Sequence, residues 1–165
     1  MPRTLLVMRH AKSSWQEEEL PDHERPLTRR GKKAARRSGE ELAARHLTPD
    51  IVLSSTAERA RLTVRQFIKG SRYDGDVRFD ASLYLSEIPE HLRALQQLPD
   101  EAHTALLVGH NPTLEELVTL LSGHRTQLPT ATVVCLMLPI DQWSQISEQT
   151  RGSVGFILSP KEPDT

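Results

Sequence analysis

A chain of 165 residues with 21 basic and 22 acidic side chains, formally −1 at neutral pH, fits one hydrophobic core. It exerts no general pull on nucleic acid or membrane, so a bound anion must be held by local placement. The single cysteine, Cys135, excludes an internal disulfide and a thiolate metal cluster, and no apolar run approaches the roughly 18 residues of a membrane span or the pattern of a signal peptide. A cytoplasmic protein is expected.

The chain opens on a continuous apolar run, Leu5 to Met8, without the alternation of a half-exposed strand, as a strand covered on both faces reads. It ends at Arg9 and His10. Thr28 is placed to cap a helix whose apolar side is Ala35, Leu42 and Leu47. "DIVLSS", Asp50 to Ser55, is a second buried strand, followed by a helical stripe of Ala60, Val64, Phe67 and Ile68. The Gly and Asp cluster from Tyr73 to Asp76 reads as a loop. Ile88, Leu92 and Leu95 mark a third helix, and "TALLVGH", Thr104 to His110, a third buried strand. Pro112 then suits the first turn of a helix carrying Leu114, Leu117, Val118 and Leu121. "ATVVCLMLP" and "SVGFILSP" are strand-like and separated by a turn-rich piece around Trp143. Alternating strands and helices predict an α/β fold on a mostly parallel sheet with an antiparallel edge. One domain over residues 1–160 is expected, with 161–165, "KEPDT", a flexible tail.

In open α/β sheets ligands bind beyond the carboxyl ends of the strands, where loops meet helix N-termini. Arg9 and His10 end one strand, His110 ends another, and Arg59 falls about one helical turn beyond Ser55 at the end of a third. Two arginine forks match phosphate oxygens and neutralise a dianion without a metal. The sequence has neither H-x-x-x-H spacing nor a carboxylate cluster beside these histidines, and no G-x-x-x-x-G-K-[ST] loop, so neither metal nor cofactor is expected. Transfer of a phosphoryl group then needs a nucleophile. Neutral imidazole serves near pH 7: flanking arginines disfavour its cation, and a backbone carbonyl on one ring nitrogen leaves the other free to attack. His10, next to Arg9, is the candidate, and His110 is placed to donate to a phosphoryl oxygen as charge spreads in the transition state.

These residues also carry a family resemblance. "LLVMRHAKSSW" resembles the R-H-G signature of the histidine phosphatase (phosphoglycerate mutase-like) superfamily, with Ala11 at the usual glycine; "DHERPLTRRGKKA", "SSTAERARLT" and "LLVGHNPTL" match its later blocks in order. The pattern most resembles the short phosphohistidine phosphatase branch, the SixA type, and extends through "LPTATVVCLML". The resemblance implies a three-layer α/β/α sandwich, phosphorylation of His10 in turnover, and a phosphate pocket completed by Arg9, Arg59 and His110. Arg25 would add a phosphate or substrate contact from a loop. Neither metal nor organic cofactor is implied.

Larger relatives use a glutamate in an inserted segment as proton donor, and the stretch between Arg59 and His110 has no matching block; Glu87 and Asp22 are the candidates left. A protonated phosphoimidazole expels neutral imidazole, so a phosphohistidine demands less help from an acid than a phosphate ester does. With little chain left to build a lid, an open pocket would admit a histidine on a partner protein. A phosphatase for a small phosphate ester or anhydride is the alternative, and a non-catalytic phosphate-binding interaction module a third reading, which retention of both histidines and both arginines disfavours. A monomer is expected.

The remaining features have plainer readings. His23, His46, His91, His103 and His124 read as surface or loop residues. "RRGKKAARR" reads as a solvated helix face rather than a nucleic-acid patch, since Glu40 and Glu41 follow it. Trp15 and Trp143 read as packing residues, Cys135 as a small core residue, and Ser13 and Ser14 as holding the loop after the nucleophile by local hydrogen bonds.

Overall fold

The computed structural model describes residues 2–160; the tail expected at 161–165 lies outside them. Among the described residues six strands and four α-helices alternate as far as β5, which β6 follows without an α-helix between: β1 (Arg3–Arg9), α1 (Arg29–Ala44), β2 (Ile51–Ser54), α2 (Glu58–Ser71), β3 (Val77–Phe79), α3 (Ile88–Gln96), β4 (Thr104–Gly109), α4 (Thr113–Ser122), β5 (Val133–Leu138) and β6 (Ser153–Leu158). They form one sheet in the order β3-β2-β4-β1-β5-β6. The first four positions are joined by parallel pairings, and β5 and β6 add antiparallel pairings on the other side of β1. This is the expected mostly parallel α/β sheet with an antiparallel edge.

The apolar run of β1 lacks alternation because both of its faces are covered. Leu5 and Val7 pack with Leu92 and Leu95 of α3 and Leu114, Leu117 and Leu121 of α4. Leu6 and Met8 point the other way, to Ala35 and Leu42 of α1 and Ala60, Val64 and Phe67 of α2. Two helical layers therefore sandwich the sheet, as the sequence pattern and the family likeness both predict. Trp143 is fully buried, and its indole N–H donates to the Ala102 carbonyl at 2.7 Å.

Thr28 caps α1 as predicted, its hydroxyl accepting from the Gly31 amide at 3.0 Å. Leu47 falls outside the helix, which ends at Ala44 before His46 turns to a φ of 57°, yet its side chain still packs on the same core. Lys32, Lys33, Arg36 and Arg37 are exposed while Ala34, Ala35, Ser38 and Gly39 are buried, so the basic run is a solvated helix face. α1 and α2 approach closely because a Cβ on Gly39 would stand 2.3 Å from the Phe67 carbonyl, and one on Gly70 2.0 Å from that of Arg36.

Candidate active site

Parallel register fixes which residues share the carboxyl edge of the sheet. Arg9 pairs with Gly109, and Ser54 with Val108, so the next residues along each strand, His10, His110 and Ser55, emerge side by side. The His10 amide donates to the Gly109 carbonyl at 3.0 Å and the Ser55 amide to that of Val108 at 3.1 Å. The two imidazole rings lie with centroids 5.1 Å apart, tilted by 53°.

His10 is buried, and its Nδ1 lies 2.7 Å from the Ala11 carbonyl. A carbonyl only accepts, so the proton sits on Nδ1 and the neutral ring keeps its lone pair on Nε2. Burial, with Arg59, Arg9 and Arg25 adding repulsion, pushes the His10 pKa down to about 4. The Ala11 amide donates to Thr63 Oγ1 at 2.9 Å, and Thr63 in turn donates to the Arg59 carbonyl at 2.7 Å, which ties the loop after β1 to α2. Ala11 is itself fully buried.

His110 Nε2 lies 2.8 Å from Ser55 Oγ, and that oxygen accepts from the Ala57 amide at 3.2 Å. Its Nδ1 is buried without a partner. A cation would carry two N–H donors with an acceptor for only one, and burial, then His10, then Arg59 push this pKa down to about 3. Both rings are therefore neutral at physiological pH.

Three guanidinium groups surround the pair. Arg9 donates to the Leu128 carbonyl at 3.2 Å. Arg59 gives Nη1 to the Asp22 carbonyl at 2.7 Å and Nη2 to Asp22 Oδ2 at 3.0 Å, while Arg25 gives Nη1 to Asp22 Oδ1 at 2.9 Å, Nε to the Ser14 carbonyl and Nη2 to Ser13 Oγ. Ser13 and Ser14 thus hold more than the loop: they set the arginine. The Tyr84 hydroxyl donates to Asp22 Oδ2 at 2.6 Å. That bond, with those from Arg25 and Arg59, brings the Asp22 pKa down to about 2. Asp22 is a carboxylate that organises two arginines and does not suit a proton donor; Glu87 stands exposed at the mouth, as the residue preceding α3.

All five predicted site residues, Arg9, His10, Arg25, Arg59 and His110, line one cavity of about 600 Å³. Trp15 lines it too and corrects an expectation. It is 72 % exposed rather than packed, with the Arg25 guanidinium 3.2 Å above its ring, because stacking on a cation holds it at the lip outside the core. His91 corrects another: it is 1 % exposed within α3, with Nδ1 2.7 Å from the Glu87 carbonyl. His23 is half-buried, 2.9 Å from Thr56 Oγ1 and edge-on to Tyr84, while His46, His103 and His124 are exposed. Sequence reasoning missed Tyr84, whose ring also stands edge-on to His110, and the role of Ser55. Among the described residues no group of three or more His, Cys, Asp or Glu side chains is placed to hold a metal ion, and no helix is long and apolar enough to cross a membrane.

A family model described as the histidine phosphatase superfamily (branch 1) matches residues 5–84. That span takes in Arg9, His10, Arg25 and Arg59. An uncharacterised chloroplastic protein of Arabidopsis thaliana is 32 % identical over 155 residues, covering 87 % of this chain and 70 % of its own. A solved structure from Nakamurella multipartitia that bears the name phosphohistidine phosphatase SixA is 27 % identical, with a TM-score of 0.85 and 97 % of each chain covered. Another of that name, from Agrobacterium tumefaciens, is 25 % identical, with a TM-score of 0.82 and coverage of 97 % and 99 %. With sequence, sheet order and paired histidines in agreement, the chain belongs to the histidine phosphatase superfamily, in its SixA-type branch.

Proposed function

We propose that this phosphatase hydrolyses phosphohistidine carried by a partner protein, by way of a phosphoryl group held covalently on His10. The observation that carries the reading is the state of one atom. His10 Nε2 bears a lone pair at neutral pH, because Nδ1 donates to the Ala11 carbonyl and burial, reinforced by the surrounding guanidinium groups, opposes a second proton. In the first step Nε2 forms a bond to phosphorus as the substrate's P–N bond breaks, and the departing imidazole keeps the electron pair, with its other nitrogen already protonated in the reactive cation. In the second, water forms the new P–O bond, the His10 P–N bond breaks and phosphate leaves. Arg9, Arg25 and Arg59 neutralise the phosphoryl oxygens throughout, and a His110 N–H adds a donor as charge spreads over them.

Two features favour a phosphohistidine over a phosphate ester. Asp22 stays ionised under Tyr84, Arg25 and Arg59, so the residue nearest the arginines cannot protonate an alkoxide, whereas a neutral imidazole leaves without that help. The names borne by the similar structures point the same way.

Rapid-quench labelling with a histidine-phosphorylated protein tests the intermediate. The wild type acquires an acid-labile, base-stable phosphoryl label and His10→Ala acquires none; labelling of the variant at the wild-type level removes His10 as nucleophile. A panel of small phosphate esters run beside phosphohistidine peptides tests the substrate class, and much faster turnover of the esters would replace this reading with the small-molecule one.

A further inference from the structure

The phosphate cavity does not end at its mouth. It shares Pro112 and Glu116 with a second groove of about 770 Å³ lined by Ile88 at the start of α3, by Thr119 and Leu120 on α4, and on its far side by the segment after α4 that begins at the exposed Arg125. Where the two meet, the surface changes character. The floor is cationic, with Arg9, Arg25 and Arg59, but the rim carries Glu87 and Glu116, both exposed, and Leu85, 82 % exposed. Neither rim carboxylate takes a hydrogen bond or a salt bridge within the described residues. In the groove beyond, Ile88 and Leu120 are only half-covered, and Ile88 is anchored from below by the core.

A basic pit with two unpaired acids at its rim discriminates among phosphorylated molecules. A compound with several anionic groups is drawn to the floor but repelled at the rim, whereas a single phosphoryl group on a cationic, partly apolar carrier meets complementary charge at both levels. The adjoining groove, continuous with the pit, gives such a carrier a place to lie. Resting on the phosphohistidine reading above, we propose that the polypeptide flanking the phosphohistidine lies in the groove along α4, between Ile88 and the segment that begins at Arg125, with a lysine or arginine of the partner facing Glu87 and Glu116 at the end next to the pit and an apolar side chain over Ile88 and Leu120. The substrate is then a phosphohistidine in a basic, partly apolar segment of a protein.

Two synthetic peptides with one phosphohistidine each, identical except for lysine or glutamate on either flank, read this out as a ratio of kcat/KM. The wild type prefers the lysine peptide about tenfold at low ionic strength, and added salt shrinks the preference. The Glu87→Lys/Glu116→Lys variant inverts the ratio, which a change in overall activity cannot do. Leu120→Asp lowers turnover of both peptides about tenfold relative to free phosphohistidine. A wild-type ratio near one, a preference that survives charge reversal, or a Leu120→Asp variant that treats peptides and free phosphohistidine as the wild type does would each overturn the groove assignment while leaving the phosphohistidine reading intact. A wild type inert to free phosphohistidine and to both peptides would overturn both readings.

Discussion

An imidazole among three guanidinium groups has one comfortable charge state, and both histidines of the pit are held in it. What distinguishes them is the partner of each ring: a carbonyl for His10, a hydroxyl for His110. On the proposed mechanism Ser55 is thus a positioning residue, reaching the phosphoryl group only through His110. Ser55→Ala removes the hydroxyl that holds the ring and leaves the buried Ala57 amide without its acceptor, at a cost of about 1–3 kcal/mol. The expected result is a kcat reduced about tenfold with KM little changed, beside a lower melting temperature; unchanged kcat in a folded variant would remove Ser55 from the site. At this scale Arg9, His10, Arg59 and His110 were legible because strand ends and ordered motifs mark them. Ser55 and Tyr84 were not, because their roles arise from contacts across strands and loops that no local pattern encodes. Trp15 was misjudged since an indole's apolar character predicts burial and hides its affinity for a neighbouring cation.

Elements matter here for where they end. β1, β4 and β2 stop level with one another, and α1 seats the loop that follows β1. A Cβ on Gly31 would stand 2.3 Å from the Lys12 carbonyl oxygen and 3.0 Å from its amide nitrogen. Those are backbone atoms of the residue next to Ala11, whose carbonyl orients His10. Gly31→Ala gains about 1 kcal/mol of helix propensity but must push α1 and this loop apart, and overpacking of that kind costs about 1–3 kcal/mol. A lower melting temperature together with reduced kcat is expected; a rise in both would show that the loop and helix are not in register as described. The long apolar strands and amphipathic helices were readable in advance. β3 was not: three residues, Val77–Phe79, at the sheet edge, half-buried to exposed, give too short a run for periodicity to register.

For the molecule as a whole, two neutral histidines couple folding to pH. Their folded-state pKa values, about 4 for His10 and about 3 for His110, lie below the ordinary value near 6.5. The unfolded chain therefore takes up protons first. The stabilisation is complete above about pH 6.5 and drains away as pH falls toward the folded values, by about 2 kcal/mol per ring at pH 5. Urea midpoints measured between pH 7.5 and 5 should fall accordingly, and His10→Asn should flatten the slope; a midpoint constant over that range would mean that the rings titrate normally.

The strand order carries one more consequence, for synthesis. β4 is inserted between β1 and β2, so His10 leaves the ribosome early while the strand that must stand beside it is still untranslated. Until that strand arrives the first two have no common edge, and the arginines gathered by Asp22 have no floor on which to meet His10. A nascent or truncated chain ending before residue 104 lacks β4 entirely, and chemistry waits for the sheet to close at its centre.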